Sequence, residues 1–276
     1  MLKQQSTAVL TCMDKNFENN LINDFLRTLR NTACYHGKVI ILDYGMSIEA
    51  SERIRNEDEN AEIIKCSKDR HIFSVRFRDM AEIIERLPAD ITNVMSIDGG
   101  DVWFQEPIDD IFEICNNKIG YIEDYSLDNS WWNRQLLNLL KPGEMKKLCK
   151  NFRGTRQKNA GMICGPRNIM IKVSDLIDKY VLNNGNDFFG LDQLYFNYII
   201  NNMPDNEKIV LSKKYNYVLI DNRHKLIIEN DLVYNENHEL MTVIHNAGGG
   251  YYRVVRKESC RDVDETQYKR VIQVYK

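Results

Sequence analysis

Along the first third of the chain, short unbroken apolar runs alternate with stretches in which apolar residues recur every three or four positions. Ala8 to Met13 is the first run, and it ends at the polar group Asp14, Lys15 and Asn16, followed by Phe17. Leu21, Ile22, Phe25, Leu26 and Leu29 then fall on one face at helical spacing, which predicts a strand, a polar loop and a helix. Lys38 to Asp43, KVIILD, is a second run, continuous as a parallel strand covered on both faces should be. Glu62 to Lys65 predicts a third, shorter strand. From Ser74 a helix follows with Met80, Ile83, Ile84 and Leu87 inward, and Pro88 stands where it should stop. The alternation is that of a wound α/β sheet.

Asn93 to Ile97 continues the pattern and runs into Asp98-Gly99-Gly100-Asp101, then into the bulky Val102, Trp103 and Phe104. A short helix from Ile108 to Cys115 and a strand from Ile119 to Glu123 come next. The stretch from Asp124 to Lys158 is polar and aromatic with little period, and it reads as an insertion on the ligand side. Asn159 to Cys164 predicts a strand. Pro166 opens a helix carrying Ile169, Val173, Leu176, Ile177 and Tyr180 on one face. Another helix starts at Asp192, and from Ile209 short strands alternate with turns through VIHNAGGGY, Val243 to Tyr251. The five prolines are scattered, no Gly-Ser linker occurs and nothing repeats, so the 276 residues predict one domain, 1–276.

Composition narrows the function classes. The 37 basic and 40 acidic residues are mixed along the chain and sum to −3, which argues against a nucleic-acid binder relying on a strong positive field. No apolar run reaches the roughly 20 residues of a transmembrane helix, and MLKQQST is followed by only a short apolar run, so no transmembrane segment and a cytoplasmic location are expected. The seven cysteines lie far apart without a Cys-x-x-Cys pair, and most of them read as reduced, buried apolar residues. G-x-G-x-x-G, G-x-x-x-x-G-K-[ST] and G-x-S-x-G are all missing, which weakens dinucleotide-binding, P-loop and α/β-hydrolase readings.

Each chemical candidate has a plain alternative. Asp98 and Asp101, at a strand's carboxyl end, suit a hard divalent ion, but Asp-Gly-Gly-Asp is also good turn chemistry. His245 lies in a glycine-rich segment; a lone histidine is more often structural, and beside two carboxylates its imidazole would favour Mn²⁺ over Ca²⁺ or Mg²⁺. Asp14, Asn16 and Phe17 suit a nucleobase and its ribose, or a helix cap with a packed ring. Asp192-Gln193 reads first as a helix start. Arg76 and Arg78 are each candidates for a phosphate or a metal-binding aspartate, or for plain surface exposure. Trp131 and Trp132, flanked by Asn129, Asn133 and Arg134, suit a sugar ring, with a partner-protein patch as the rival.

Taken in order, these pieces resemble a GT-A glycosyltransferase of family eight, the group of glycogenin and the lipopolysaccharide galactosyltransferases, from Val9 to about Tyr251. CMDKNF is similar to that family's first-strand segment, which implies Asp14, Asn16 and Phe17 at uracil and ribose. The Arg76 region is similar to the arginine-bearing helix before the metal strand, with Arg78 competing for the role. IDGGDVWF resembles the Asp-x-Asp loop, although two residues separate the aspartates here. Either a one-residue bulge keeps both carboxylates on the metal, or Asp98 turns to the ribose alone. NAGMICGP implies Asn159 at the donor sugar or its phosphate, and LDQLYFN implies Asp192 and Gln193 beside the transferred sugar. KYNY, Lys214 to Tyr217, is similar to a segment that follows in the family. HNAGGGY resembles His-x-x-Gly-x-x-Lys, which implies His245 as third metal ligand and Gly248 near the diphosphate. Tyr251 stands where the lysine would be, so phosphate neutralisation either falls to Arg253 or to Arg153, Arg156 and Lys158, or is weaker.

The expectation is therefore a mixed, mostly parallel GT-A sheet flanked by helices. The resemblance further implies a Mn²⁺-dependent (or Mg²⁺-dependent) hexosyltransferase using a UDP-sugar donor, with retention and with Gln193 or Asp192 under the sugar. The acceptor, whether glycan, lipid-linked glycan or protein, has no readable code. The rival from another class is a non-catalytic nucleotide or glycan binder on a degenerate glycosyltransferase fold.

Overall fold

The computed structural model describes residues 6–126, 136–185, 187–219 and 226–247. Within these, a seven-stranded sheet forms in the order β3-β2-β1-β4-β7-β6-β8. Its strands are β1 (Thr7–Met13), β2 (Lys38–Asp43), β3 (Ala61–Lys65), β4 (Asn93–Ile97), β6 (Ile119–Ser126), β7 (Arg156–Pro166) and β8 (Lys208–Val210). Neighbours are parallel except on either side of β7, which runs against both β4 and β6. The continuous apolar runs occupy the centre, as a sheet covered on both faces demands: Val39, Ile40, Ile41 and Leu42 are all fully buried.

Helices cover both faces. One face packs under α3 (Ile72–Arg86), α6 (Arg167–Asn184) and α7 (Leu191–Asn202), with Phe77, Ile84, Ile177 and Phe196 in that core. The other packs under a helical run, α1, formed by Glu18–Asn20, a wide π-type turn over Leu21–Leu26, and Arg27–Asn31, with α2 (Ile48–Glu57) after β2 and the short α4 (Asp109–Ile114) before β6. The apolar stripe expected of α1 is fully in place, since Leu21, Ile22, Phe25, Leu26 and Leu29 are all buried.

A second sheet, β5-β12-β9, stands against this face and completes the functional edge. Here β5 (Val102–Phe104) pairs antiparallel with β12 (Val243–His245), which pairs parallel with β9 (Tyr217–Val218). Two buried polar groups hold it. The Phe104 amide donates to Thr28 Oγ1 of α1 at 2.9 Å. The Gln105 side-chain amide donates to the carbonyls of Val233 at 3.0 Å and Met241 at 2.7 Å and accepts from the Val233 N–H at 2.9 Å. A buried amide satisfied three ways fixes the strands it joins.

The structure corrects the expected elements in four places. The helix α2 has no counterpart in the sequence reading; it buries only Ala50, Ser51 and Ile54 and starts at Ser47, whose hydroxyl accepts from the Ala50 N–H. Helix α3 begins two residues before Ser74, with the His71 ring nitrogen accepting from the Phe73 N–H at 3.4 Å. Asp192 does not cap α7, because Gly190, at φ +86°, takes that position. The stretch read as a ligand-side insertion contains α5 (Pro142–Phe152), whose Leu148 and Phe152 are buried in the core, while 127–135 lies outside the described residues. No helix of the described residues is long and apolar enough to cross a membrane.

A candidate metal centre at the sheet edge

Parallel β1, β2 and β4 all end at one edge of the sheet, the place where open α/β sheets gather ligands. Asp98 follows β4 there, and Asp101 precedes β5. Because β12 lies against β5 with His245 opposite Val102, and the Asn246 N–H donates to the Asp101 carbonyl at 2.8 Å, the histidine is carried to the same point from the far end of the chain. His245 Nε2 lies 3.7 Å from Asp98 Oδ2 and 3.5 Å from Asp101 Oδ1. One ligand atom from each of the three residues falls within 4.8 Å of the others.

The two glycines between the aspartates are required by space. Neither adopts the positive φ that glycine alone tolerates easily. A Cβ on Gly99 would sit 2.5 Å from Thr11 Oγ1, and one on Gly100 would sit 2.8 Å from Phe17 Cβ. The extra residue is thus absorbed by a loop pressed onto the end of β1 and onto Phe17, and both carboxylates still point at the histidine. A third glycine closes the floor. A Cβ on Gly161 of β7 would meet His245 Cε1 at 2.4 Å, Asp98 Oδ2 at 2.7 Å and Asn159 Oδ1 at 2.8 Å, and the Gly161 carbonyl accepts from the Asp98 N–H at 2.8 Å. Two hard carboxylate oxygens and one imidazole nitrogen on this floor are a donor set that could hold a divalent metal ion.

Arg76 supplies the balancing charge. Its Nη1 donates to Asp98 Oδ1 at 2.7 Å, which leaves Oδ2 for the histidine side, and its Nη2 lies 2.6 Å from Asp192 Oδ2. Burial opposes the guanidinium charge, but Asp192 and Asp98 outweigh it and hold its pKa above the ordinary value. The rings of Phe73 and Phe77 each lie 5.0 Å from its Cζ, and its Nε has no hydrogen-bond partner among the described residues. Burial pushes the Asp192 carboxyl above the usual carboxylate range, and Arg76 pulls it back. Arg78 plays no part here, since it pairs with Asp69 and Asp79 on the outer side of α3. Cys12 lies beside Arg76, yet burial pushes its thiol up to about 11, so it stays protonated and is no nucleophile.

The remaining expected residues divide into three groups. Asn159 and Gln193 meet on β7: Asn159 Oδ1 accepts from the Gly161 N–H at 2.7 Å, while Gln193 Oε1 accepts from the Ala160 N–H at 2.9 Å and Gln193 Nε2 donates to the Lys158 carbonyl. Asp14, Asn16 and Phe17 do follow β1, and no side chain caps the helix there. Asp14 instead accepts from the Asn16 backbone N–H at 3.0 Å and from Lys68 Nζ at 3.2 Å, while Phe17 is 46% exposed beside Gly100. Lys158 is buried against Glu123 at 3.3 Å, with burial lowering its pKa. Gly248, Tyr251, Arg253, Trp131 and Trp132 lie outside the described residues. Three residues here had no assigned role in the sequence reading: Gly161, Lys68 and Asn216, which accepts from the His245 ring.

Replacing Gly161 by Ala is expected to cost about 1–3 kcal/mol, the range for overpacking a filled site. It should also cost Mn²⁺ binding, because the methyl enters the space of His245 and Asp98. Calorimetric titration alongside thermal unfolding checks this, and wild-type Mn²⁺ affinity in the variant would refute the cradle.

No protein-family model matches the chain, and no curated protein does. Solved structures do. One is a crystal structure of galactosyltransferase LgtC in complex with donor and acceptor sugar analogues: TM-score 0.55, 13% identity, 97% of this chain covered and 95% of that one. Another is an active-site mutant of LgtC, with TM-score 0.57, 12% identity and the same coverage of both chains. The chain has the GT-A glycosyltransferase fold. LgtC is a family-eight galactosyltransferase, the group expected from the sequence.

Proposed function

We propose that the protein is a glycosyltransferase that moves a sugar from a nucleoside-diphosphate donor, a UDP-sugar, to an acceptor, with a divalent metal held by Asp98, Asp101 and His245. The observation that carries this reading is the convergence of those three ligand atoms at the carboxyl edge of a GT-A sheet, with Arg76 as the built-in countercharge. LgtC, the neighbour in fold, is named as a galactosyltransferase and has been crystallised with donor and acceptor sugar analogues.

A bound Mn²⁺ would stabilise the negative charge that grows on the leaving diphosphate. The protein's own residues hold and orient. The half-exposed Phe17 ring offers a face to the uracil, with Asp14 and Asn16 beside it for the ribose. Asn159 on β7 and Gln193 at the start of α7, its side chain bonded to the β7 backbone, stand next to the metal floor and serve the transferred sugar, Gln193 through the amide hydrogen and lone pair its backbone bonds leave over. Asp192 is 1% exposed, with one oxygen on the Gln193 N–H and the other on Arg76, so its role is to set Arg76 rather than to attack the sugar. Retention at the anomeric carbon is part of this proposal. The acceptor is a glycan, a lipid-linked glycan or a protein side chain.

The test is to incubate the protein with a panel of UDP-sugars and follow UDP release with Mn²⁺, with Mg²⁺ and with chelator. Release from at least one donor, stronger with Mn²⁺ than with Mg²⁺ and abolished by chelator, is expected. Absence of release from every donor, to water or to added glycans, contradicts the proposal.

A further inference from the structure

We infer that Asn216 is a positioning residue that fixes the tautomer of His245 and so decides which ring nitrogen is offered to the metal. The inference rests on the metal reading of the preceding subsection and adds to it a residue outside the ligand set.

Asn216 is 1% exposed, and its Oδ1 stands 2.9 Å from His245 Nδ1. An amide oxygen only accepts, so the ring proton belongs on Nδ1 and Nε2 carries the lone pair. That lone pair faces Asp98 Oδ2 and Asp101 Oδ1 at 3.7 and 3.5 Å. Three electron-rich atoms turned toward one point repel one another unless a cation stands between them, so the orientation suits the loaded site. Imidazole free in water prefers the opposite tautomer, with the proton on Nε2, which would block coordination by that nitrogen. The contact with Asn216 reverses the preference.

The fold makes this contact stiff. Asn216 directly precedes β9, and β9 and β12 pair in parallel with Ile244 opposite Tyr217 and His245 opposite Val218. The amide and the imidazole are therefore held by the ladder of one sheet, and the contact is of the kind that orients metal-bound histidines. Asn216 Nδ2 has no hydrogen-bond partner among the described residues, although it is buried.

The test reads the tautomer directly by long-range ¹H–¹⁵N correlation of the His245 ring in metal-free protein at pH 8, and reads Mn²⁺ affinity separately by calorimetry. Wild type should show the proton on Nδ1. Asn216→Asp, whose carboxylate accepts from the same N–H, should keep that tautomer and the wild-type affinity. Asn216→Ala should move the proton mainly to Nε2 and weaken Mn²⁺ binding about 10- to 100-fold, the usual cost of losing such a partner. A wild-type ring protonated on Nε2 overturns the inference without any variant having to fold. So does Asn216→Ala with unchanged tautomer and affinity. If wild-type protein binds no Mn²⁺, the metal reading fails, while the tautomer still decides the role of Asn216.

Discussion

Asp101→Ala should lose metal-dependent UDP release while keeping its fold. The expected fall in rate is at least about 100- to 1,000-fold, the scale on which one preorganised group that stabilises transition-state charge is worth. Asp101 is the cleaner of the two aspartates to change. Asp98 also carries the ion pair to Arg76, so its removal mixes catalysis with stability. The Asp101 side chain keeps 22% of its surface exposed, and the hydrogen bond from the Asn246 N–H is accepted by its backbone carbonyl, which alanine retains. Thermal midpoint should move little, within the range of ordinary surface substitutions, and Mn²⁺ affinity should drop along with the rate. Full activity in this variant would remove Asp101 from the metal site.

Arg76→Ala should be the most destabilising single change at the site. Arg76 and Asp192 are 7% and 2% exposed at the side chain, so truncation leaves a buried carboxylate without its countercharge, a loss of about 3–5 kcal/mol. The pH dependence gives this prediction its edge. The folded-state carboxyl of Asp192 already titrates above its unfolded value through burial, and Arg76 is what restrains the shift. Without Arg76 the carboxyl moves further up. A carboxyl raised in the folded state favours folding below the unfolded carboxylate range, near pH 4, and that contribution is lost as pH rises through the folded value. The deficit of Arg76→Ala against wild type should therefore be larger in urea unfolding at pH 8 than at pH 5. Equal deficits at the two pH values would mean that lost packing against Phe73 and Phe77, rather than a buried charge, accounts for the cost.

How far the sequence could be read depended on how much of each interaction was local. KVIILD is buried from Val39 to Asp43, so its pattern had one solution, and β2 matches the expected range. Helix α2 escaped because its segment carries few apolar residues and packs only Ala50, Ser51 and Ile54, leaving no stripe to count. The metal triad was legible as residue types in an order, but its geometry was not, because His245 reaches Asp98 only through the pairing of β12 with β5. The same holds for the extra glycine. That Asp-Gly-Gly-Asp keeps both carboxylates on one point follows from what Gly99 and Gly100 press against, Thr11 and Phe17, far away in the chain. Arg78, two residues on from Arg76 in the same helix, competes for its role in the sequence alone, and α3 decides between them by turning Arg76 to Asp98 and pairing Arg78 with Asp69 and Asp79. Asn216 lay within the KYNY segment, yet nothing local told that its amide meets a ring 29 positions later.

The most direct test of the central claim is a crystal of the protein soaked with UDP and Mn²⁺. The account predicts one Mn²⁺ bonded to an Asp98 oxygen, an Asp101 oxygen and His245 Nε2, bridging to the diphosphate, with the uracil against Phe17. An ion bound away from His245, or UDP bound away from this edge of the sheet, would contradict it.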